Sequence, residues 1–361
     1  MRIFFYHQQN FTLFIFFIFL FSINIIFTHE EHIITSYDNT PIYTCFIPAQ
    51  QEIKCSPTIL WVHGFGIHSD YNLEAINHLA AHGYNSINFD TRKHGKTNIL
   101  SIDNQKNTQK NIFSRMPAHS TWISLSSRDI QTIYSYYKPR ITGKFFIVAH
   151  SMGGLITCSH LQEPSPIPVD AVILSAPCLG IHTDYIPRWK QFLLRILGTL
   201  FPHWSFAVKG TYHRDKTTRD AQVTLHKKQD QLIIKSGTAG DFADILSTCK
   251  KVIKNASTLR VPLYIFLSGQ EKIVDNQQAK LFYKSLPQDL PKSITLFNDM
   301  RHSLLNDIGR EYVFKTIYKI FEQYVHPQET AVAYTPLNFN YEDGIITCPI
   351  PAWRMNETDI M

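Results

Sequence analysis

The 361-residue chain has no CxxC pair and no compact cluster of metal-type ligands. Its six cysteines, at 45, 55, 158, 178, 249 and 348, are scattered, which argues against structural zinc. There is no dense Lys/Arg run and no nucleic-acid motif, and a net charge of +6 is too mild to mark a nucleic-acid binder. That mild excess is compatible with an anionic membrane surface. Charge of either sign is scarce, at 18% of residues against 44% hydrophobic, and this balance excludes a disordered chain. No internal repeat is present. The length suits one large α/β domain with an inserted subdomain, or two domains. Cys45 and Cys55 leave two readings open: a bridge in an oxidising compartment, or two free thiols.

The first thirty residues differ in kind from the rest. "FTLFIFFIFLFSINIIF", residues 11–27, carries no charge, with Arg2 before it and Glu30-Glu31 after it. As a helix it would span roughly 26 Å, just short of a bilayer core. It lacks the small-residue A-x-A end of a cleaved signal; it closes on Ile25-Ile26-Phe27-Thr28. The expectation is an uncleaved single-span anchor with the N-terminus inside and the body across the membrane. The alternative is a cleaved signal and a secreted or periplasmic protein.

Beyond the anchor, "IITSYDNTPIYTCFIPA" reads as a hairpin around Asp38-Asn39, and "PTILWVHGFG" as a buried strand ending at His63. Short apolar runs follow at 85–90, 145–150, 170–176, 262–268 and 293–297. Helical patterns such as "YNLEAINHLAAHG" and "SSRDIQTIYSYYK" lie between them. This alternation predicts an α/β fold with a mostly parallel sheet and helices on both faces. Ligands then bind beyond the carboxyl ends of the strands. Between about 179 and 260 the alternation stops. "RWKQFLLRILGTLF" places Trp189, Phe192, Leu193, Ile196, Leu197 and Leu200 at helical spacing, opposite Arg188, Lys190, Gln191 and Arg195. The stripe either packs on the core or faces lipid as a lid. The expected organisation is an anchor or signal at 1–30, a core in two parts at 31–178 and 261–325, an inserted helical cap at 179–260, and an aperiodic tail at 326–361.

The chemistry gathers in "KFFIVAHSMGGLITC", residues 144–158. A strand runs straight into Ser151, with Gly153 and Gly154 just behind it. Small residues there let strand and helix approach around a sharp turn that holds a serine hydroxyl in reach of substrate. Taken alone, the stretch is equally a strand-to-helix turn with a serine N-cap. A serine hydroxyl needs a histidine to take its proton, a carboxylate to orient that histidine, and N–H groups aimed at the oxyanion. "FNDMRHSLLND" supplies His302 after the last core strand. "LSGQEKIVDN" offers two acids, Glu271 and Asp275. "HGFG" can aim the Phe65 N–H at a substrate oxygen, partnered by that of Met152. The order Ser, acid, His is that of the α/β-hydrolases.

Here the chain resembles the lysophospholipase and monoacylglycerol-lipase branch of the α/β-hydrolases, the serine aminopeptidase S33 type, over roughly residues 35–325. That branch reads H-G-x-G-E-H-S where this chain has "HGFGIHSDY", and D-x-R-G-H-G-x-S where it has "DTRKHGKT". At the elbow it reads G-H-S-M-G-G against "AHSMGG"; it has L-S-A-P as at 174–177, and R-H-E-x-L-N-[DE] against "RHSLLND". Ala149 stands in place of the first elbow glycine and is small enough for the turn to survive, while Lys93 and Thr97 depart from the pattern at positions that tune loops. The resemblance implies catalytic Ser151, His302 and Glu271, an oxyanion hole at Phe65 and Met152, and Asp275 as second-choice acid, which otherwise caps the next helix. It implies that Asp90 and His94 support the rim, and that no metal or organic cofactor is needed.

The leading functional expectation is a serine hydrolase of a monoacyl lipid ester, a lysophospholipid or monoacylglycerol, tied to a membrane through its N-terminal segment. A short-chain carboxylesterase or a serine peptidase would use the same residues. An inactive hydrolase fold acting as a tethered interaction module would be expected to have lost the serine or the histidine, and both are present.

Overall fold

The computed structural model describes residues 29–51, 55–108, 122–207, 214–327, 340–342 and 345–348. Its first two strands, β1 (Glu30–Thr35) and β2 (Pro41–Ile47), pair antiparallel from Glu30↔Phe46 to Thr35↔Pro41. Asn39 turns the hairpin at a φ of 65°, a left-handed position that asparagine tolerates. The apolar runs then become β3 (Thr58–Val62), β4 (Asn85–Phe89), β5 (Phe145–His150) and β6 (Ala171–Ser175). Two three-residue strands, β7 (Ser205–Ala207) and β8 (Ser236–Thr238), form a separate ladder. After them come β9 (Leu263–Ser268), β10 (Lys292–Phe297), β11 (Asn340–Glu342) and β12 (Ile345–Cys348).

Among the described residues the main sheet has ten strands in the order β1-β2-β4-β3-β5-β6-β9-β10-β12-β11. From β4 through β12 every neighbouring pair is parallel. The chain leaves β3 toward β4 on one side and returns at β5 on the other. The carboxyl ends of β3 and β5 are therefore the switch point, where an open sheet of this kind leaves a crevice.

Each central strand feeds two cores with a period of two. Leu60, Val62, Ile147 and Ala149 face one cluster, completed by α3 (Trp122–Tyr137), α4 (Met152–Leu161), α8 (Ala239–Lys254) and α9 (Asn276–Ser285). Ile59, Trp61, Phe146 and Val148 face the other, completed by α1 (Leu73–Ala81) and α10 (Arg310–Val325). A further helix, α2 (Gly95–Thr108), follows β4.

Between β6 and β9 stand α5 (Arg188–Leu200), α6 (Arg214–Thr217), α7 (Ala221–Gln229) and α8. The last of these buries Phe242, Ile245, Leu246, Cys249 and Val252 in the main core. Its start is a reciprocal cap: the Thr238 hydroxyl accepts from the Asp241 N–H at 3.1 Å, and the Asp241 carboxylate accepts from the Thr238 N–H at 2.9 Å. α5 lies against α8 at Gly198, where a Cβ would stand 2.4 Å from the Ala243 Cβ and 2.6 Å from the Ala239 carbonyl oxygen. The side of α5 that packs is thus Gly198 with Leu194, and the apolar stripe points away. Trp189, Phe192 and Leu200 are each more than 60% exposed, and Leu193 and Ile196 are exposed beside them. The first of the two readings of the stripe, packing on the core, is not what the fold does.

Two other expectations change. The 326–361 stretch reads as aperiodic, yet β12 pairs parallel with β10 from Ile294↔Ile345, and β11 pairs with β12. Strands of three and four residues are too short to show an alternation, and the free edge of β10 supplies what their sequence lacks. The membrane-anchored localisation is corrected. Among the described residues no helix is long and apolar enough to cross a membrane, and residues 11–27, on which that reading rested, lie outside the described residues. Cys45 and Cys55 are free thiols, the first buried in β2 and the second exposed.

Candidate active site

β5 ends at His150 and α4 begins at Met152, so Ser151 makes the turn alone. It adopts a φ of 52° and a ψ of −116°, a conformation that side-chain-bearing residues take only when neighbours enforce it. The neighbours are identifiable. The Ser151 N–H donates to the Ser175 carbonyl at 2.9 Å, and the Cys178 N–H donates to the Ser151 carbonyl at 2.9 Å. Behind the turn, a Cβ on Gly153 would stand 2.1 Å from the Val62 carbonyl oxygen. Only glycine lets α4 start this close to β3. Ala149, the first elbow position, is wholly buried in β5 with the turn intact.

Three of the expected residues meet at this turn. His302 Nε2 lies 3.0 Å from Ser151 Oγ, and its Nδ1 lies 2.9 Å from Glu271 Oε2. An ionised carboxylate only accepts, so Nδ1 carries the proton and Nε2 is left to receive one from the serine. All three side chains are buried. The other Glu271 oxygen accepts the N–H groups of Lys272, Ile273 and Val274 at 3.0, 2.8 and 3.2 Å. Burial alone would raise the Glu271 carboxyl. The His302 charge and hydrogen bond, with the Ile273 and Val274 N–H groups, outweigh it and hold the carboxyl below its ordinary value. Asp275 is placed otherwise: its carboxylate accepts the Gln277 N–H at 2.9 Å and caps α9.

The rim around this trio is built from the "DTRKHGKT" loop. Asp90 accepts the N–H groups of Ser69 and Lys96 at 2.7 and 2.6 Å. Arg92 forms paired hydrogen bonds to both Asp129 and Asp38, tying the loop to α3 and to the first hairpin. His63 accepts the Thr91 N–H on Nε2 at 2.9 Å and donates from Nδ1 to the Gly64 carbonyl at 2.8 Å. Burial pushes His63 down to about 4 and His94 down to about 3, the latter helped by His63 itself. Both imidazoles are therefore neutral in the fold, whereas an unfolded histidine takes its proton near 6.5. The unfolded chain binds more protons below that value. The stability these groups contribute is complete above about pH 6.5 and is lost as pH falls toward 4. The unfolding free energy from urea titrations is expected to level off above about pH 6.5 and to fall from there to pH 5, by up to about 1.4 kcal/mol per unit for each neutral histidine; no fall below pH 6.5 would mean that these rings are protonated in the fold.

Ser151 and His302 open onto a pocket, the kind of concave, largely apolar site in which small ligands bind. Ile181, Phe242, Ile245, Ile273 and Val274 give it an apolar wall, and Phe65 and Met152 both line it. The lining also holds residues that no sequence pattern singled out: Tyr185, Thr217 and Lys227. They come from the segment between β6 and β9, where nothing in the spacing shows which side chains turn inward. Among the described residues no group of three or more His, Cys, Asp or Glu side chains is placed to hold a metal ion.

A parallel sheet with a serine on a strained strand-to-helix turn at its switch point, backed by a histidine and an acid, defines an α/β-hydrolase. The chain belongs to the family whose model is described as serine aminopeptidase, S33, which matches residues 54–309. It is 24% identical over 261 residues to an uncharacterized abhydrolase domain-containing protein of Dictyostelium discoideum, covering 72% of this chain but only 26% of that much longer one. It is 24% identical over 181 residues to phospholipase YtpA of Bacillus subtilis, covering 50% of this chain and 68% of the relative. Among solved structures, a soluble variant of the monoglyceride lipase of Saccharomyces cerevisiae, in complex with a substrate analog, superposes with a TM-score of 0.66 at 19% identity, covering 84% of this chain and 96% of that one. At that identity the likeness is one of fold.

Proposed function

We propose that the protein hydrolyses the carboxylic ester of a monoacyl lipid, a lysophospholipid or monoacylglycerol, through an acyl-enzyme on Ser151. The observation that carries this reading is the serine–histidine–glutamate line, at 3.0 and 2.9 Å, opening onto an apolar pocket. His302 would take the Ser151 proton as Oγ attacks the ester carbonyl. The Phe65 and Met152 N–H groups would receive the oxyanion, and His302 would return the proton to the leaving alcohol. Water would then release the fatty acid by the same route. The names of the phospholipase and monoglyceride-lipase relatives support the lipid class. The exposed apolar face of α5, flanked by Arg188 and Lys190, supports a substrate presented by a lipid aggregate.

A fluorophosphonate is expected to label Ser151, and kcat/KM across acetyl to oleoyl monoesters is expected to rise with chain length. Each acyl CH₂ buried in the apolar wall is worth about 0.8 kcal/mol. Absence of labelling would remove the serine mechanism. A preference for acetyl esters would replace the lipid reading with a general short-chain carboxylesterase.

A further inference from the structure

One side chain in the pocket carries a charge that ester cleavage does not use. Lys227, in the last turn of α7, shares the lining with Ser151 and His302, and no Asp or Glu stands in that lining. Among the described residues its ammonium has no acidic partner; it sits over the Tyr71 ring, 5.3 Å from the centroid. Desolvation pushes it down to about 8. A structural lysine ordinarily pairs with a carboxylate or carries its charge out to water. Lys227 is half-buried, and a cation partly withdrawn from water with no counter-ion is stabilised when a ligand supplies the charge.

The neighbours of Lys227 place it on the histidine side of the pocket. Tyr71 lies beside the Ser303 hydroxyl, and Ser303 follows His302 in the chain. The Ser303 N–H donates to the Thr217 carbonyl at 2.8 Å, and Thr217 lines the same pocket. The Lys227 charge also acts on His150, whose ring centroid is 5.0 Å from that of His302. In ester cleavage the leaving alcohol must meet His302, because it collects its proton there. The acyl chain takes the apolar wall. Whatever the leaving glycerol carries then falls among Lys227, Thr217 and Ser303.

We infer that Lys227 receives the phosphate of the substrate's head group, so that the preferred substrate is an anionic monoacyl glycerophospholipid and a neutral monoacylglycerol is second to it. This assignment rests on the ester-hydrolase reading above. The ammonium forms a charge-assisted hydrogen bond to a phosphate oxygen, and its pairing offsets the desolvation that its surroundings impose on it.

The test compares kcat/KM for 1-oleoyl lysophosphatidate and 1-oleoylglycerol, each dispersed in the same neutral detergent. The parent protein is expected to favour the phosphate-bearing ester at least tenfold. Lys227→Met is expected to bring that ratio to about one, and Lys227→Arg to restore most of it. An unchanged ratio in Lys227→Met overturns the assignment. A second measurement covers poor folding of the variants: glycerol 3-phosphate should inhibit the parent competitively on a soluble butyrate ester, whereas glycerol at the same concentration should not. No inhibition by glycerol 3-phosphate overturns the assignment, and so does equal inhibition by inorganic phosphate, which would mean an adventitious anion site. Failure to cleave any acyl ester would instead sink the hydrolase reading, while a glycerol 3-phosphate shift in the melting curve would still report on the Lys227 site.

Discussion

Ser151→Ala is expected to lower kcat on every ester the protein accepts by about four decades or more, with little change in the unfolding midpoint. Oγ is the atom that would bond to the acyl carbon, and alanine has nothing in its place. Losses of this size follow removal of a nucleophile or its base, and what remains comes from binding and the oxyanion hole. The fold should tolerate the change. Alanine meets the same backbone demand at φ 52° as serine, and only the 3.0 Å hydrogen bond to His302 is lost, worth about 1 kcal/mol. His302→Ala should match it, and the double variant should be no worse than either single one, because the two side chains act as a unit. Steady-state rates measured beside a thermal melt decide this. Full turnover by a folded Ser151→Ala protein would end the mechanism proposed above.

Glu271→Gln should follow closely, with a loss of about 10² to 10⁴ in kcat, while Asp275→Asn should change it less than threefold. Glutamine fits the site and can still accept N–H groups. It brings no charge to stabilise an imidazolium, and it can present an amide donor to His302 that turns the ring to the wrong tautomer. Asparagine caps a helix about as well as aspartate does, so α9 keeps its start. The reverse ranking would move the acid to Asp275, against the 2.9 Å contact between Glu271 and His302.

The readable parts of this molecule are those where one residue type answers one local demand. The strands at 58–62, 85–89, 145–150, 171–175 and 263–268 are short apolar runs between turns, and each is where its composition puts it. The Ser151 turn shows itself because a glycine must follow where α4 meets the Val62 carbonyl. Glu271 and Asp275 could be ranked but not separated by sequence, since both sit on one loop; the separation lies in which carboxylate points at His302 and which at the Gln277 N–H. The region from 179 to 260 was the least legible. The apolar spacing of α5 and that of α8 look alike in sequence, yet α8 is buried and the stripe of α5 is bare. Periodicity reports an apolar face; what covers that face depends on the tertiary contacts, here on Gly198 meeting Ala243 from the other side. Lys227 was invisible for the same reason, as an ordinary lysine in a polar helix until the fold turned it inward.

Glu271 serves two neighbours with two oxygens: one faces His302, and the other gathers three N–H groups of its own loop. Active sites commonly set activity against robustness, because groups arranged for chemistry are poorly satisfied in the resting fold. Ser151 fits that pattern, held in a backbone conformation that costs on the order of 1–3 kcal/mol. Glu271 runs the other way, since the carboxylate that would orient the histidine also ties down the 271–274 turn. Descendants of this chain that replaced the serine with glycine would lose activity and shed the backbone cost at φ 52°. Those that discarded the acid would lose on both counts, so drift away from catalysis has an easy exit at the nucleophile and a guarded one at the acid.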